Sequence, residues 1–446
     1  MTTAPQLAEA YNRLLAAEGS AVEQAAWMEQ AFRDAAITFD GVPMTSFLRP
    51  HLLGPAEWTR LRDDGRRLLE LAMRVARHAF GGDAHRLLAF LGTPESEARW
   101  VALDPGPPDV VLSRLDAFLE GTRPRFIEVN SDAPAGFGYG DRMAAVFADL
   151  PVFRRFAAAH PVRYLPSGPA LVDALLAAWR ARGGTGSPVV AIVDWADVKT
   201  RADQQILREL IEARGMSCVL ADPRDAELAG GRLSFAGRAV DVVYRRAVLS
   251  ELVAREDDVR VFLEAYRRGA AVVVNSFRCH LSEDKAFFAL LTDEAFDRLV
   301  SAEERRFLSD VVPWTRRVAE RRTVRDGVEI DLLPFILSER DSLVLKPAHG
   351  YGGRSVLVGD ETDPATWEAA AVSGLAEPWV VQDRVVIPEE PFPIVSDGTL
   401  RFESLKVNVN PFYAAGAKVG AVTRASRSSV INVSAGGGSV PTFVVG

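Results

Sequence analysis

Between Arg114 and Asn130 two strand-like runs flank Gly121 and Thr122, and the polar side chains along them are of types that hold a metal ion. With a turn centred near Thr122, antiparallel pairing sets Asp116 opposite Glu128 and Arg114 opposite Asn130. Alternation along each strand then sends all four side chains to one face. Leu115, Ile127 and Val129 are expected to point the other way, into a core. Two carboxylates and an amide carbonyl are hard oxygen ligands, while the neighbouring arginine suits a phosphate or carboxylate rather than the metal. The chemistry implied is magnesium carrying a nucleotide. A solvated charged face on an edge hairpin remains open as the plainer alternative.

A second group lies in Ser342–Ser355, a strand-like run that ends in Lys346 and passes into Gly350, Gly352 and Gly353. Glycines let backbone N–H groups approach an anion, and Lys346 can lie along phosphates. The lysine precedes the glycines, so this is not the phosphate loop in which it follows them, and the spacing fails the dinucleotide fingerprint. A glycine-rich hairpin turn would look the same. Lys285 opens a predicted helix, and Trp379–Gln382, followed by Asp383, could present backbone groups to an adenine edge; a surface lysine and a core strand are the respective alternatives. Only five of the 52 basic residues are lysines (Lys199, Lys285, Lys346, Lys406, Lys418), so each is a candidate for a position that needs a compact ammonium.

These residues need elements to position them. Apolar residues at three- and four-residue spacing predict helices at Ala4–Ala17, Ala21–Ala35, Ala56–Phe80 and Ala84–Leu91, so residues 1–96 read as a helical region. Strands are expected at Trp100–Leu103, Val110–Phe118 and Arg125–Asn130, with the metal hairpin inside a segment 97–164. Beyond it, Val189–Val193 is a continuous apolar run suited to a parallel strand buried on both faces. With a helix at Ala202–Arg214 and strands at Ser217–Leu220 and Asp241–Tyr244, residues 165–275 read as a small parallel α/β unit. Residues 276–446 return to α+β, with long strands expected at Leu400–Val409 and Tyr413–Thr423.

At 446 residues and 48% apolar composition the chain can build two or three cores. No run approaches the length of a membrane span and the first ten residues lack a signal-peptide pattern, so a soluble protein with a cytoplasmic location is expected. Cys218 and Cys279 lack zinc spacing, and a net charge of −8 without a basic tract argues against nucleic acid as a partner.

Taken together, Phe126–Asn130 with Asp116 twelve residues before Glu128, Lys285, and Val344-Leu-Lys-Pro347 with its glycines resemble the circularly permuted ATP-grasp group, represented by glutathionylspermidine synthase and eukaryotic glutathione synthetase. Asp241–Arg245, Gly420–Arg424 and the glycines near Ala435–Gly438 resemble that group's substrate strand, late arginine and closing loop. The fold implied is an α+β ATP-grasp with an inserted parallel α/β subdomain and a helical N-terminal region. The segment after Lys346 carries no glutamate, so Asp116 serves as the metal ligand. The resemblance assigns Mg²⁺ to Asp116, Glu128 and Asn130. It assigns ATP to Lys285, Lys346, Gly350, Gly352, Gly353, Gln382 and Asp383, catalysis to Arg114 and Arg424, and substrate to Ser131, Arg245, Arg424, Gly436, Gly437 and Gly438.

The activity implied is ATP-dependent ligation of a small-molecule carboxylate, an amino acid or short peptide, to an amine through an acyl phosphate. Charge gathering on the transferred phosphoryl group calls for positioning and electrostatics rather than a protein nucleophile. Phosphoryl transfer without amide formation, and a non-catalytic nucleotide-binding module that regulates a partner, are the competing classes.

Overall fold

The computed structural model describes residues 4–349, 355–415, 417, 419–431 and 436–446. The expectations for Gly350, Gly352 and Gly353 lie outside the described residues.

Helices α1 (Ala4–Glu18) and α2 (Ala21–Asp34) lead into strand β1 (His51–Leu53) and the long helix α3 (Pro55–His78). Helix α3 starts at Pro55, where a missing N–H costs nothing, and the Glu57 carboxylate accepts the Gly54 N–H at 2.7 Å. Trp58, Leu61, Leu68, Leu69, Ala72 and Val75 recur on one side and are buried. Burial of each such leucine stabilises by about 2 kcal/mol. Gly65 lets this helix lie close behind the segment that carries Phe126, because a Cβ there would sit 3.3 Å from the Phe126 ring. Helices α4 (Ala84–Leu91) and α5 (Glu95–Val101) follow. The strand expected at Trp100–Leu103 is therefore the end of a helix. Pro94 precedes it and Glu95 and Glu97 occupy its first turn, a start signal that outweighs the short apolar run.

The hairpin consists of β2 (Leu112–Glu120) and β3 (Arg123–Asn130). Asp116 pairs with Glu128 and Arg114 with Asn130, the register expected, but the route to it differs. Glu120 opposes Arg123 across a two-residue turn, and continuing that register would place Asp116 opposite Ile127. A bulge between the Phe126 and Glu128 pairings takes up Ile127 and restores the pairing. Ile127 consequently lines the cleft instead of pointing into the core, whereas Leu115 and Val129 are buried as expected.

After α6 (Phe137–Asp149), α7 (Pro151–Ala159) and α8 (Gly168–Ala181), the strands β4 (Val189–Val193), β5 (Ser217–Ala221), β6 (Val242–Arg245) and β7 (Val272–Val274) form a parallel sheet in the order β7-β6-β4-β5. Helix α9 (Arg201–Ala213) connects β4 to β5. Helix α10 (Lys285–Thr292) then leads to a four-stranded sheet, in the order β8-β11-β9-β10, made by β8 (Thr315–Arg317), β9 (Leu343–Pro347), β10 (Leu357–Val358) and β11 (Trp379–Asp383). Its own core contains Leu343, Leu345, Trp367 and Val381, separate from the main core.

The last strands are β12 (Glu389–Ser396), β13 (Thr399–Ala414), β14 (Ala421–Ser426) and β15 (Gly438–Val445). They complete an eight-stranded sheet whose main path runs β1-β15-β14-β13-β2-β3, with β12 paired to β13. Where two strands were expected, Leu400–Val409 and Tyr413–Thr423, one sixteen-residue strand runs through Pro411. The ladder to β2 has pairs at Val409 and Phe412 but none between them, so the missing proline N–H is not required there. The N-terminal region is not helical alone: β1 pairs parallel with β15 inside this sheet.

Candidate functional site

A cleft opens between the large sheet and the four-stranded sheet. From the large sheet it receives Arg114, Asp116, Glu128, Asn130, Asn408 and Arg424; from the other side come Lys285 on α10, Lys346 on β9, and Gln382 and Asp383 on β11. Residues 308 positions apart, Asp116 and Arg424, thus share one wall because β13 lies between β2 and β14.

Asp116 is the hub. Its Oδ1 accepts from Asn410 Nδ2 at 3.0 Å, from Asn130 Nδ2 at 3.3 Å and from Arg114 Nε at 3.4 Å, and its Oδ2 accepts from Arg424. Arg424 Nε also donates to Asn410 Oδ1 at 2.9 Å, and Arg424 Nη2 to Asn408 Oδ1 at 3.0 Å. Burial alone would raise the Asp116 carboxyl, but the guanidinium of Arg424, then that of Arg114, outweighs it and holds the group below its ordinary value. Glu128 stands across the strand pair with Oε1 2.8 Å from Lys285 Nζ. Burial pulls the Lys285 ammonium down, yet the Glu128 charge more than compensates and its pKa is raised.

Lys346 differs. It is 8% exposed and donates to Gln382 Oε1 at 2.8 Å, while Gln382 Nε2 donates to Thr315 Oγ1 at 3.0 Å. Burial pushes this lysine down to about 8, with Glu128 opposing and Lys285 adding to the shift. Among the described residues no carboxylate forms an ion pair with it, and a phosphate would supply that anion. Asp383 lines the cleft too, 3.0 Å from Arg325, with burial raising it to about 6.

Several expected substrate residues are not brought into this cleft. Arg245 is fully buried. Its guanidinium pairs with Asp132, donates to the carbonyls of Ala247 at 2.8 Å and Asn275 at 3.3 Å, and lies over the Phe277 ring. No donor face is left for a substrate carboxylate, so the expectation that Arg245 faces the cleft is corrected. Ser131 is likewise buried, its N–H held by Glu283 at 2.6 Å and its hydroxyl donating to Ser113 Oγ at 3.1 Å. Gly438 belongs to β15, paired with Ala425, and a Cβ there would strike Phe47. Gly437 precedes it and is buried. Gly436 is exposed at φ +89 beside an apolar groove lined by Met28 and Phe47.

Sequence reasoning missed Asn408 and Asn410. Their signal was present: two amides at period two, alternating with Val407 and Val409 in a predicted strand, mark a polar face on a buried strand. His349 also lines the cleft, and as a lone histidine beside a glycine-rich run it carries no distinguishing pattern in the sequence.

A family model described as a circularly permuted ATPgrasp matches residues 126–382. A chain of Frankia alni provisionally named glutamate–cysteine ligase 2-3 is 28% identical over 340 residues, which are 71% of this chain and 36% of that one. An uncharacterized protein of Mycobacterium tuberculosis is 27% identical over 343 residues, 72% of this chain and 57% of that one. The chain therefore spans about a third to somewhat over half of the length of these curated relatives. Among solved structures, a glutathione synthetase-like effector of Globodera pallida in its apo form superposes with a TM-score of 0.62 at 11% identity, covering 95% of this chain and 97% of the other.

Proposed function

Because the chain belongs to the circularly permuted ATP-grasp family, whose model spans more than half of it, we propose that the cleft binds ATP with Mg²⁺ and joins a carboxylate to an amine. The observation that carries this reading is the convergence of Asp116, Glu128 and Asn130 with Lys285, Lys346, Arg114 and Arg424 on one cavity. The donor set fits magnesium: two carboxylates and an amide, all hard oxygen ligands, two of them facing each other across a strand pair. The cations beside them, Arg114, Arg424 and Lys285, support the reading that this corner of the fold takes concentrated negative charge. Bound there, Mg²⁺ would neutralise phosphate oxygens and hold the nucleotide in line for transfer.

The protein's own residues then have distinct tasks. Lys346, ammonium-bearing yet poorly compensated, pairs with the phosphates; Lys285 reaches them from α10, shared with Glu128. Gln382 fixes the Lys346 ammonium, and the chain that leaves this strand through Arg384 and Val385, which line the cleft, meets the base. Arg114 and Arg424 hold Asp116 ionised and stand where charge develops as the substrate carboxylate attacks the γ-phosphorus. An acyl phosphate forms with loss of ADP, and the amine displaces phosphate. Of the two arginines assigned to the carboxylate substrate, Arg424 is the one that lines the cleft, since Arg245 is committed to Asp132.

For substrate class we favour an amino acid or short peptide as acyl donor. The name of the Frankia relative speaks for amino-acid ligation. Its longer chain keeps the specific pair, glutamate and cysteine, from passing to this protein. Incubating the protein with ATP, Mg²⁺ and pools of amino acids, peptides and polyamines, with ADP release and product mass both followed, tests the reading. ADP release that needs both a carboxylate and an amine, with a matching amide mass, is the expected result. Release that needs one substrate and yields a phosphorylated product would replace ligation by phosphoryl transfer.

A further inference from the structure

His349 follows Lys346 by three residues and leaves β9 toward the N-terminal helices. Its Nε2 lies 2.8 Å from the carbonyl oxygen of Gly92 and its Nδ1 2.6 Å from Asp284 Oδ2. A carbonyl can only accept a hydrogen bond, and so can an ionised carboxylate. Both ring nitrogens must therefore donate, which makes the ring an imidazolium.

The two acceptors sit on elements with other duties. Asp284 uses its second oxygen, Oδ1, to accept the Ala286 N–H at 2.7 Å, capping α10, whose first residue is Lys285. Gly92 closes α4 at φ +79, and a Cβ there would come within 2.7 Å of Pro378. The Pro378 carbonyl in turn accepts the Ala348 N–H at 2.7 Å, next to β11, where Lys346 pairs with Val380. Asp284 is 7% exposed at its side chain and His349 31%, so the ion pair is sheltered while the ring still exchanges protons with solvent.

We infer that His349 is a positioning residue: as an imidazolium it ties the strand that ends in Lys346 to the capped start of the helix that begins with Lys285, and both to the end of α4. The two lysines come from separate elements, and this one side chain bridges them through Asp284. Loss of its proton would leave either the Asp284 carboxylate or the Gly92 carbonyl facing a lone pair. The charged groups around the ring agree with the protonated form. Asp284 and, farther off, Glu97 face it as carboxylates, and together with the hydrogen bonds they more than offset burial and raise the imidazole above its ordinary value. Lys285 and Arg317 are the cations whose charges interact with Asp284. The consequence for nucleotide binding rests on the reading of the cleft given above.

The test uses the full chain and two conservative variants, His349→Gln, which keeps a donor but no charge, and Asp284→Asn, which can still cap α10. The six histidines are followed by NMR against pH, the His349 signal being identified by its loss in His349→Gln. Its midpoint should lie above the ordinary value of about 6.5 and fall back toward it in Asp284→Asn. In parallel, Mg·ATP affinity is measured by calorimetry from pH 6 to 9. The wild type should weaken several-fold as His349 loses its proton, over and above the change seen in His349→Gln, and the variant should bind roughly tenfold more weakly at pH 6. A wild-type midpoint at or below the ordinary imidazole value overturns the proposal. So does a folded His349→Gln protein with wild-type affinity and pH profile. If the wild type binds no Mg·ATP, the reading of the cleft falls, and the imidazole titration alone then upholds or overturns the clamp.

Discussion

Arg424 on β14 donates into the carboxylate of Asp116 on β2, across the intervening strand β13, whose Asn408 and Asn410 side chains bond to the same guanidinium. The pair holds the Asp116 carboxylate ionised inside a buried corner, so the cleft wall is an electrostatic unit rather than a set of independent side chains.

Removing the acid should cost more than removing either base. Asp116→Ala leaves Arg114 and Arg424 buried near each other without the carboxylate they share and is expected to destabilise by about 3 kcal/mol. Arg424→Ala leaves Asp116 with Arg114 and two amides and should cost about half as much. Urea denaturation at pH 7 checks the order. The Asp116 carboxyl is held below its ordinary value, so its contribution is present in full above about pH 4 and is lost as the pH falls through the folded-state value. Equal losses for the two variants would show that Asp116 is not the hub.

Glu128 tests the metal assignment with little risk to the fold. Its side chain is 26% exposed and paired with Lys285. Glu128→Ala should lower ATP turnover by about a thousandfold or more, while the melting temperature moves by only a few degrees. Turnover in the folded variant at the wild-type rate would remove Glu128 from the metal site.

The two nucleotide lysines should be separable by calorimetry. Lys346→Met and Lys285→Met keep stem length and lose the charge, and each is expected to weaken Mg·ATP binding by about tenfold or more. The Lys285 variant also frees Glu128, so its loss should shrink at high Mg²⁺ concentration whereas the Lys346 loss should not. Two variants with unaltered affinity would place both lysines outside the nucleotide site.

Lys346 also makes a prediction for the ligand-free protein. A shift from 10.5 to about 8 corresponds to roughly 3 kcal/mol that burial charges against the ammonium. Since the folded value is the lower one, the cost is complete below pH 8 and is relieved as pH rises from 8 to 10.5. Allowing about 1 kcal/mol for the lost bond to Gln382, Lys346→Met should be more stable than wild type by on the order of 2 kcal/mol at pH 7. That advantage should narrow above pH 8. A destabilised variant at pH 7 would show that the ammonium is better compensated than the cleft geometry implies.

Much of the site was legible because its chemistry is local. Asp116, Glu128, Arg114 and Asn130 sit on one hairpin, and period-two alternation sufficed to bring them to one face. The bulge at Ile127 was not legible: its effect cancels an offset in the turn, so the pairing came out as expected while one apolar side chain changed sides. The run Val189–Val193 betrayed a parallel strand because both its faces are apolar. Arg245 shows where such reading stops. Its counter-ion, Asp132, is 113 positions away, and nothing in the local sequence separates an arginine that greets a ligand from one that closes an ion pair. Asn408 and Asn410 are the intermediate case, visible as a pattern but without meaning until β13 is known to lie beside β2.

That neighbourhood has a consequence for how the protein is made. The Asn408 amide bonds to the Ala117 carbonyl across 291 positions of chain, and β2 has no strand on that side until β13 exists. During synthesis the hairpin bearing Asp116 and Glu128 emerges before β13 and β14 and waits, one edge open, while the residues between them are translated. Over that interval it has neither Arg424 nor the asparagines to set its charge. Nascent chains and fragments stopped short of β14 should therefore be unable to retain nucleotide, because the wall around Asp116 is complete only once β14 has emerged.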